Sequence, residues 1–302
     1  MKDISSQKSK AIRFREIKEK TIKYALLMCA FTSVLAVIII TMFIFWEGMP
    51  LFGSVNPIEF LLNPRWEPSD AVNPSYGILA FIIGSVYVTA LALLLGIPIG
   101  IACAIFLAEI AKGPVAKVLR RAVEILAGIP SVVYGLFGYQ TICIFVRESF
   151  GGTGYSVLSA AIVLAIMILP TIINIGEISI RAVPGEYREG SLAVGATHWQ
   201  TIVRVLLPAA RSGIIAGIVL GTGRAIGETM AVLMVAGNST PIPFLVTDST
   251  RTLTMNIVTD MSYASGLHRV ALFTTSIVLF VFIMILNSVI QFLTRKSRMQ
   301  GA

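Results

Sequence analysis

Two ionisable residues interrupt an otherwise uncharged run of the sequence, Gly213–Gly237, and are its strongest candidates for chemistry. Arg224 and Glu228 lie near the middle of these 25 residues. A helix of about 20 residues is long enough to cross a bilayer. A spacing of four places both side chains on one helix face, about 6 Å apart along the axis. Burying a charge at that depth costs about 2.5–3.5 kcal/mol on insertion scales. The pair is therefore predicted to face the interior of a bundle, as part of a substrate path or a gate.

A guanidinium beside a carboxylate could recognise a protonated oxyanion. The planar fork of Arg224 matches two oxygens of a phosphate. The carboxylate of Glu228 could accept a hydrogen bond from P–OH while repelling a fully deprotonated anion such as sulfate. A self-contained salt bridge that only neutralises two buried charges is the alternative that the sequence leaves open. If the two residues form an ion pair, exchanging them should preserve folding better than Arg224→Gln, which leaves Glu228 unpaired.

Composition assigns the chain to the polytopic all-α membrane proteins. Of its 302 residues, 56% are hydrophobic and 13% charged, against about 25% charged in soluble domains. The two histidines, His198 and His268, stand alone, so no histidine metal site is predicted. The sequence has no phosphate-binding Gly-rich loop ending in Gly-Lys-Ser/Thr and no hydrolase motif. We therefore expect no catalytic residues, no metal and no cofactor in this chain, and an energy source in a partner.

Six apolar runs predict six transmembrane helices. They are Tyr24–Trp46, Tyr76–Ala108, Ile125–Val146, Ser156–Gly176, Gly213–Gly237 and Val270–Leu293. The second run contains Pro98 and is interpreted as one bent helix, whereas a break is expected in the third at Ile129–Ser131.

Lysine and arginine set the predicted orientation. The segments placed inside hold 19 of them and the outer loops hold 4, so both termini are predicted to be cytoplasmic. The net charge of +8 then reflects topology and the lipid bilayer, not nucleic acid. The predicted organisation is a basic N-terminal tail (1–23), a permease domain (24–293) with a cytoplasmic loop at 177–212, and a C-terminal tail (294–302).

The long cytoplasmic loop predicts a compact knob that another protein could grip. A short helix over 186–194 should stop at Gly195. A second, over 198–206, should start from Thr197 as N-cap and end before Pro208.

This loop resembles the EAA loop of the membrane subunits of binding-protein-dependent ABC importers. Glu189 and Gly195 keep the six-residue offset of that motif, Ala196 follows the glycine, and Leu207-Pro208 closes it. Gly190-Ser191 depart from the family's two alanines. The resemblance implies a type I (MetI-like) importer fold with six transmembrane helices. It also implies that the knob docks on a separate ATP-hydrolysing subunit.

Within that family, the chain resembles the membrane subunits of phosphate importers, and the PstC type more than the PstA type. The residues that carry this likeness are Gly223–Ala231, Trp66-Glu-Pro in the first outer loop, and a second span that ends at Glu109. The resemblance implies phosphate transport across the inner membrane. Its implied partners are an ATP-binding subunit dimer, a PstA-type permease and an external phosphate-binding protein.

Four alternatives remain open at this point. The first is a permease for another oxyanion, such as sulfate, molybdate or phosphonate. The second is a complex with two copies of this chain. The third is a proton-coupled secondary transporter, in which Arg224 and Glu228 would serve substrate and proton. The fourth is an intramembrane enzyme such as a lipid phosphatase, which the isolated histidines disfavour.

Overall fold

A computed structural model describes residues 2–70 and 72–299, with side chains for 19–70 and 72–288. Met1 and residues 300–302 of the predicted tails lie outside the described residues. The helices are α1 Lys2–Gly48, α2 Pro57–Leu62, α3 Leu79–Ile105, α4 Gly113–Gly128, α5 Ser131–Phe137, α6 Cys143–Phe150, α7 Val157–Arg181, α8 Gly185–Ala193, α9 His198–Thr201, α10 Leu207–Gly227, α11 Met230–Val235, α12 Leu253–Met261 and α13 Gly266–Met299. A short hairpin pairs β1 (Trp66–Glu67) with β2 (Ser75–Tyr76). Turns of π-helix extend α3 over Phe106–Ile110 and α5 over Gly138–Ile142, and another joins α9 to α10 over Ile202–Leu206.

The predicted membrane spans correspond to apolar helices. Five are long and apolar enough to cross a bilayer, and the pair α4 and α5–α6 makes a sixth if it counts as one span. Pro98 is accommodated within the single helix α3, as predicted. The fold is therefore that of an all-α polytopic membrane protein.

Helix α7 forms the centre of the bundle. Of its apolar window 61% is buried, against none of the corresponding window near the N-terminus, and α3 and α10 pack along it. Glycines allow α10 to approach closely, since a Cβ added at Gly217 would lie 3.1 Å from the Cβ of Ile175. By contrast, α1 packs on α13 and leaves most of its apolar surface exposed, as a lipid-facing helix would.

The third span is bent more sharply than the sequence predicted. Its axis turns by 99° between Gly128 and Ser131, so the predicted break at Ile129–Ser131 is confirmed, but Ile125–Val146 is not one helix. Pro130 removes a backbone donor and disfavours the helical conformation at Ile129, which is extended.

The segment before Pro208 is also different from the prediction. The short helix over 198–206 does not end there, because the chain stays helical from His198 to Gly227. A π-turn precedes Pro208, and the altered hydrogen bonding of such a turn accommodates the missing proline donor. Leu207 and Pro208 therefore lie inside a long helix instead of closing a loop.

Candidate functional site

Helix α10 ends between the two candidate residues. Arg224 lies in its last turn, whereas Glu228 follows its last residue, Gly227, and has an extended backbone (φ −74°, ψ 128°). Helix α11 starts two residues later. The prediction that Arg224 and Glu228 share one face of a continuous helix over Gly213–Gly237 is therefore wrong. The sequence around the break, Gly223-Arg-Ala-Ile-Gly227-Glu, combines two glycines of low helix propensity within five residues.

Glu228 is held by α11 and not by Arg224. Its Oε1 accepts a hydrogen bond from the backbone N–H of Ala231 at 3.1 Å, and the partial positive charge of a helix N-terminus favours a carboxylate there. Its carbonyl accepts a weaker hydrogen bond, 3.3 Å, from the hydroxyl of Thr254. Within the described part of the chain, Oε2 of Glu228 has no hydrogen-bond partner.

Arg224 brings a positive charge into the bundle without a counter-ion. It is partly buried, and among the described residues no carboxylate forms an ion pair with it. The structure thus presents a free guanidinium on one side of the break and a half-engaged carboxylate on the other.

The knob has the predicted local structure at its turn. Gly195 adopts φ +86°, which a glycine tolerates best. Its N–H donates to the carbonyl of Leu192 and the N–H of Ala196 donates to that of Ser191, the double hydrogen bond of a Schellman motif. Thr197 then caps α9 in a capping box with Gln200.

The predicted docking residues differ in exposure. Glu189 and Gly195 are exposed, and Ala196 is half-buried. Leu207 packs partly into the inner hydrophobic cluster, and Pro208 lines a cavity of about 820 Å³ beside the knob. The structure brings Glu189, Gly195 and Ala196 together on the knob and places Leu207 and Pro208 at the start of α10.

Two groups of buried charges were missed by the sequence reasoning. On the side of the knob, Glu109 and Glu177 are paired with arginines from other helices. At the opposite end, Asp260 and Arg251 form a buried pair beneath the hairpin. The sequence offered one signal, since Glu109 and Glu177 each directly follow the last residue of a predicted span. No sequence spacing identifies their arginine partners.

Asp260 is the centre of the second group. Its Oδ2 accepts from Trp66 Nε1 at 2.9 Å and lies 3.4 Å from His268 Nε2; its Oδ1 accepts from Arg251 at 3.1 Å and from the hydroxyl of Tyr263 at 2.6 Å. Burial raises the pKa of Asp260, but these hydrogen bonds and charges outweigh burial and lower the pKa overall. The group joins β1, α12 and α13, and borders a cavity of about 370 Å³.

No group of three or more His, Cys, Asp or Glu residues that could hold a metal occurs in the part of the chain described here.

The bundle, the knob and the intramembrane break together define the class: the membrane-spanning permease component of an importer. The chain belongs to the family described as the binding-protein-dependent transport system inner membrane component, whose model matches residues 96–299.

Relatives of this family are similar over most of their length. The chain is 43% identical over 254 residues to the probable ABC transporter permease protein YqgH of Bacillus subtilis, covering 83% of this chain and 82% of that protein. It is 33% identical over 269 residues to the phosphate transport system permease protein PstC of Mesorhizobium japonicum (82% and 80% covered). The corresponding protein of Haemophilus influenzae is 32% identical over 284 residues (87% of each).

Solved structures of ABC importers share the fold. A bacterial alginate ABC transporter in complex with its alginate-bound periplasmic protein matches with a TM-score of 0.66 at 14% identity, covering 93% of this chain and 96% of that chain. An inward-facing MetNI methionine transporter matches with a TM-score of 0.59 at 18% identity (73% and 95%). At such identities the likeness shows the fold alone.

Proposed function

We propose that the chain is the permease subunit of an ABC importer that moves inorganic phosphate across the inner membrane. ATP is hydrolysed in a separate dimeric subunit that docks on the knob between α7 and α10. A PstA-type permease completes the pathway, and an external binding protein delivers the anion. ATP is bound by the partner and not by this chain. The similarity to PstC proteins over most of both chains supports the choice of anion.

The observation that carries the proposal is the uncompensated guanidinium of Arg224 inside the bundle. Arg224 is partly buried. A cation that loses part of its hydration and has no counter-ion is costly, and an anionic substrate that passes through would supply the missing charge. Phosphate offers two oxygens to the guanidinium fork. The unused Oε2 of Glu228 could accept its P–OH hydrogen bond, which a fully deprotonated sulfate cannot donate.

The test is uptake of labelled phosphate by proteoliposomes that contain the full complex and the binding protein. Arg224→Gln would remove two charge-assisted hydrogen bonds of about 1.5–3 kcal/mol each. We therefore expect phosphate uptake to fall about 100-fold or more. Arg147→Gln is the matched control, because Arg147 is an exposed arginine at the end of α6, and it should leave uptake unchanged.

Parallel uptake of sulfate, molybdate and phosphonate decides among the oxyanions. Uptake of any of these as fast as phosphate would refute the phosphate assignment. Uptake that continues in Arg224→Gln would refute the role of that residue. Uptake driven by a proton gradient without ATP would replace the importer with a secondary transporter.

A further inference from the structure

An ion pair between a buried carboxylate and a half-exposed arginine links the knob to the end of α3. Glu109 lies in the π-turn that ends α3, and its side chain is 3% exposed. Arg188 of α8 holds it with two nitrogens: Nε donates to Oε2 at 3.2 Å and Nη2 donates to Oε1. We call Glu109 and Arg188 the α8–α3 clasp.

Glu109 depends on Arg188 for its charge balance. A carboxylate in the last turn of a helix is disfavoured by the partial negative charge of that end, and a buried carboxylate needs a partner. Lys112 and His198 line the same cavity of about 360 Å³. Among the described residues, however, Arg188 is the one cation within ion-pair distance of Glu109.

Helix α8 has little else that could connect it to α3. None of its side chains is buried. Its packing is with α9 and the π-turn that follows, reinforced by the hydroxyls of Ser191 and Thr201, 3.0 Å apart. The ion pair therefore gives α8 a side-chain link to α3, in addition to the backbone connections that join α8 to α7 and, through α9, to α10.

The end of α3 is in turn tied to two more helices. Glu177 of α7 accepts from Arg120 of α4 at 2.6 Å and from Arg181 at 2.8 Å. Both guanidiniums also donate to the carbonyl of Leu107, Arg181 at 2.8 Å and Arg120 at 3.4 Å. A displacement of Glu109 would therefore act on the hydrogen-bonded contact between α3, α4 and α7. Helix α4 ends at the 99° bend.

We propose that the α8–α3 clasp transmits movement of the docked knob to α3 and to the helices that are bonded to its end. Arg188 acts as a positioning residue that couples ATP hydrolysis to opening of the pathway. The proposal rests on the function proposed above, because it requires a motor subunit bound to the knob.

The ratio of phosphate transported to ATP hydrolysed distinguishes a coupling role of Arg188 from a merely structural one. In proteoliposomes with the complete complex, Arg188→Gln should lower the phosphate transported per ATP hydrolysed by about 5-fold or more, which corresponds to the loss of about 1 kcal/mol of coupling free energy. ATP hydrolysis itself should continue. The double variant Glu109→Gln with Arg188→Gln leaves no lone buried charge, so it should assemble normally and still be uncoupled. Arg65→Gln is the control, since it breaks an exposed pair with Glu67, and should change nothing.

A distance measurement tests the clasp independently of the transported anion. In a background with Cys29, Cys103 and Cys143 replaced by serine, spin labels at Glu186→Cys and Ala111→Cys report the separation of α8 from the end of α3. In the complex, this distance should be the same in nucleotide-free and ATP-trapped states. In the double variant, it should differ between the two states.

The outcomes separate the two proposals. A double variant with the wild-type ratio of transport to hydrolysis, or a wild-type distance that changes between the two states, would overturn the clasp. Absence of phosphate transport in the wild type, with the distance behaving as expected, would overturn the assigned substrate and leave the clasp supported.

Discussion

Replacing Asp260 by Asn should destabilise the outer end of the bundle severely. The side chain is 5% exposed, and its two oxygens accept from donors on both sides. Asn offers one oxygen and one NH2 group. If the NH2 group takes the place of Oδ2, it faces the N–H of Trp66. If the amide is turned over, the NH2 group faces Arg251 and Tyr263. Either orientation sets donor against donor.

The magnitude follows from the charge that is left behind. Arg251 is 9% exposed, and removing one member of a buried ion pair costs about 3–5 kcal/mol. We expect Asp260→Asn to lower the free energy of unfolding by that amount, a large part of the roughly 5–15 kcal/mol of a typical domain. Tyr263→Phe, which removes one hydrogen bond from a residue 63% exposed and keeps the charge pair, should cost about 1 kcal/mol.

Unfolding of the purified protein in mixed micelles by increasing SDS, followed by tryptophan fluorescence, measures both values. Trp66 donates to Asp260 directly and is a local reporter of this region. A loss below about 1 kcal/mol in Asp260→Asn, or a loss in Tyr263→Phe as large as that in Asp260→Asn, would refute the reasoning, because the buried charge pair would then contribute little.

Three further predictions follow from the same geometry. Gly195→Ala should strain a φ of +86° by about 1–2 kcal/mol and reduce co-purification of the ATP-binding subunit, whereas Gly190→Ala, with nothing near its added Cβ, should not. Because the pKa of Asp260 is lowered by folding, its stabilisation is present above the unfolded pKa and is lost as the pH falls. The stability difference between wild type and Asp260→Asn should therefore shrink below about pH 4. Exchanging Arg224 and Glu228 should be more damaging to folding than Arg224→Gln, since it places a cation at the start of α11, as SDS unfolding would show.

The bundle was predictable because the bilayer imposes a simple rule on the sequence. A spanning helix needs a long apolar run. Each predicted run contains helical structure in the described part of the chain, although Ile125–Val146 and Gly213–Gly237 are each broken into two helical parts. The turn of the knob was predictable for a local reason, since Gly195 and Thr197 act on backbone groups within five residues of themselves. Helix ends inside apolar runs were not predictable, because apolar residues lie on both sides of Gly227–Thr229 while the backbone leaves the helix there.

The buried ion pairs could not be predicted from the sequence for a different reason. Arg188 and Glu109 are 79 residues apart, and Arg120 and Glu177 are 57 apart. Such partners meet because α8 lies against the end of α3, and α4 against α7, on the side of the knob. Helical spacing relates only residues three or four positions apart. The pair of Glu177 with Arg181 is within that reach and is part of the same cluster.

The break after Gly227 changes what Arg224 and Glu228 can do. A closed salt bridge on one helix face would have satisfied both charges and needed no ligand. In the structure the two charges are divided between two helices, and only Glu228 has a local partner, in the N–H of Ala231. A movement of α11 relative to α10 would therefore change the separation of the guanidinium and the carboxylate without breaking an ion pair between them. An anion filter requires such a variable separation. The substrate can be bound when the guanidinium and the carboxylate are close, and released when they separate.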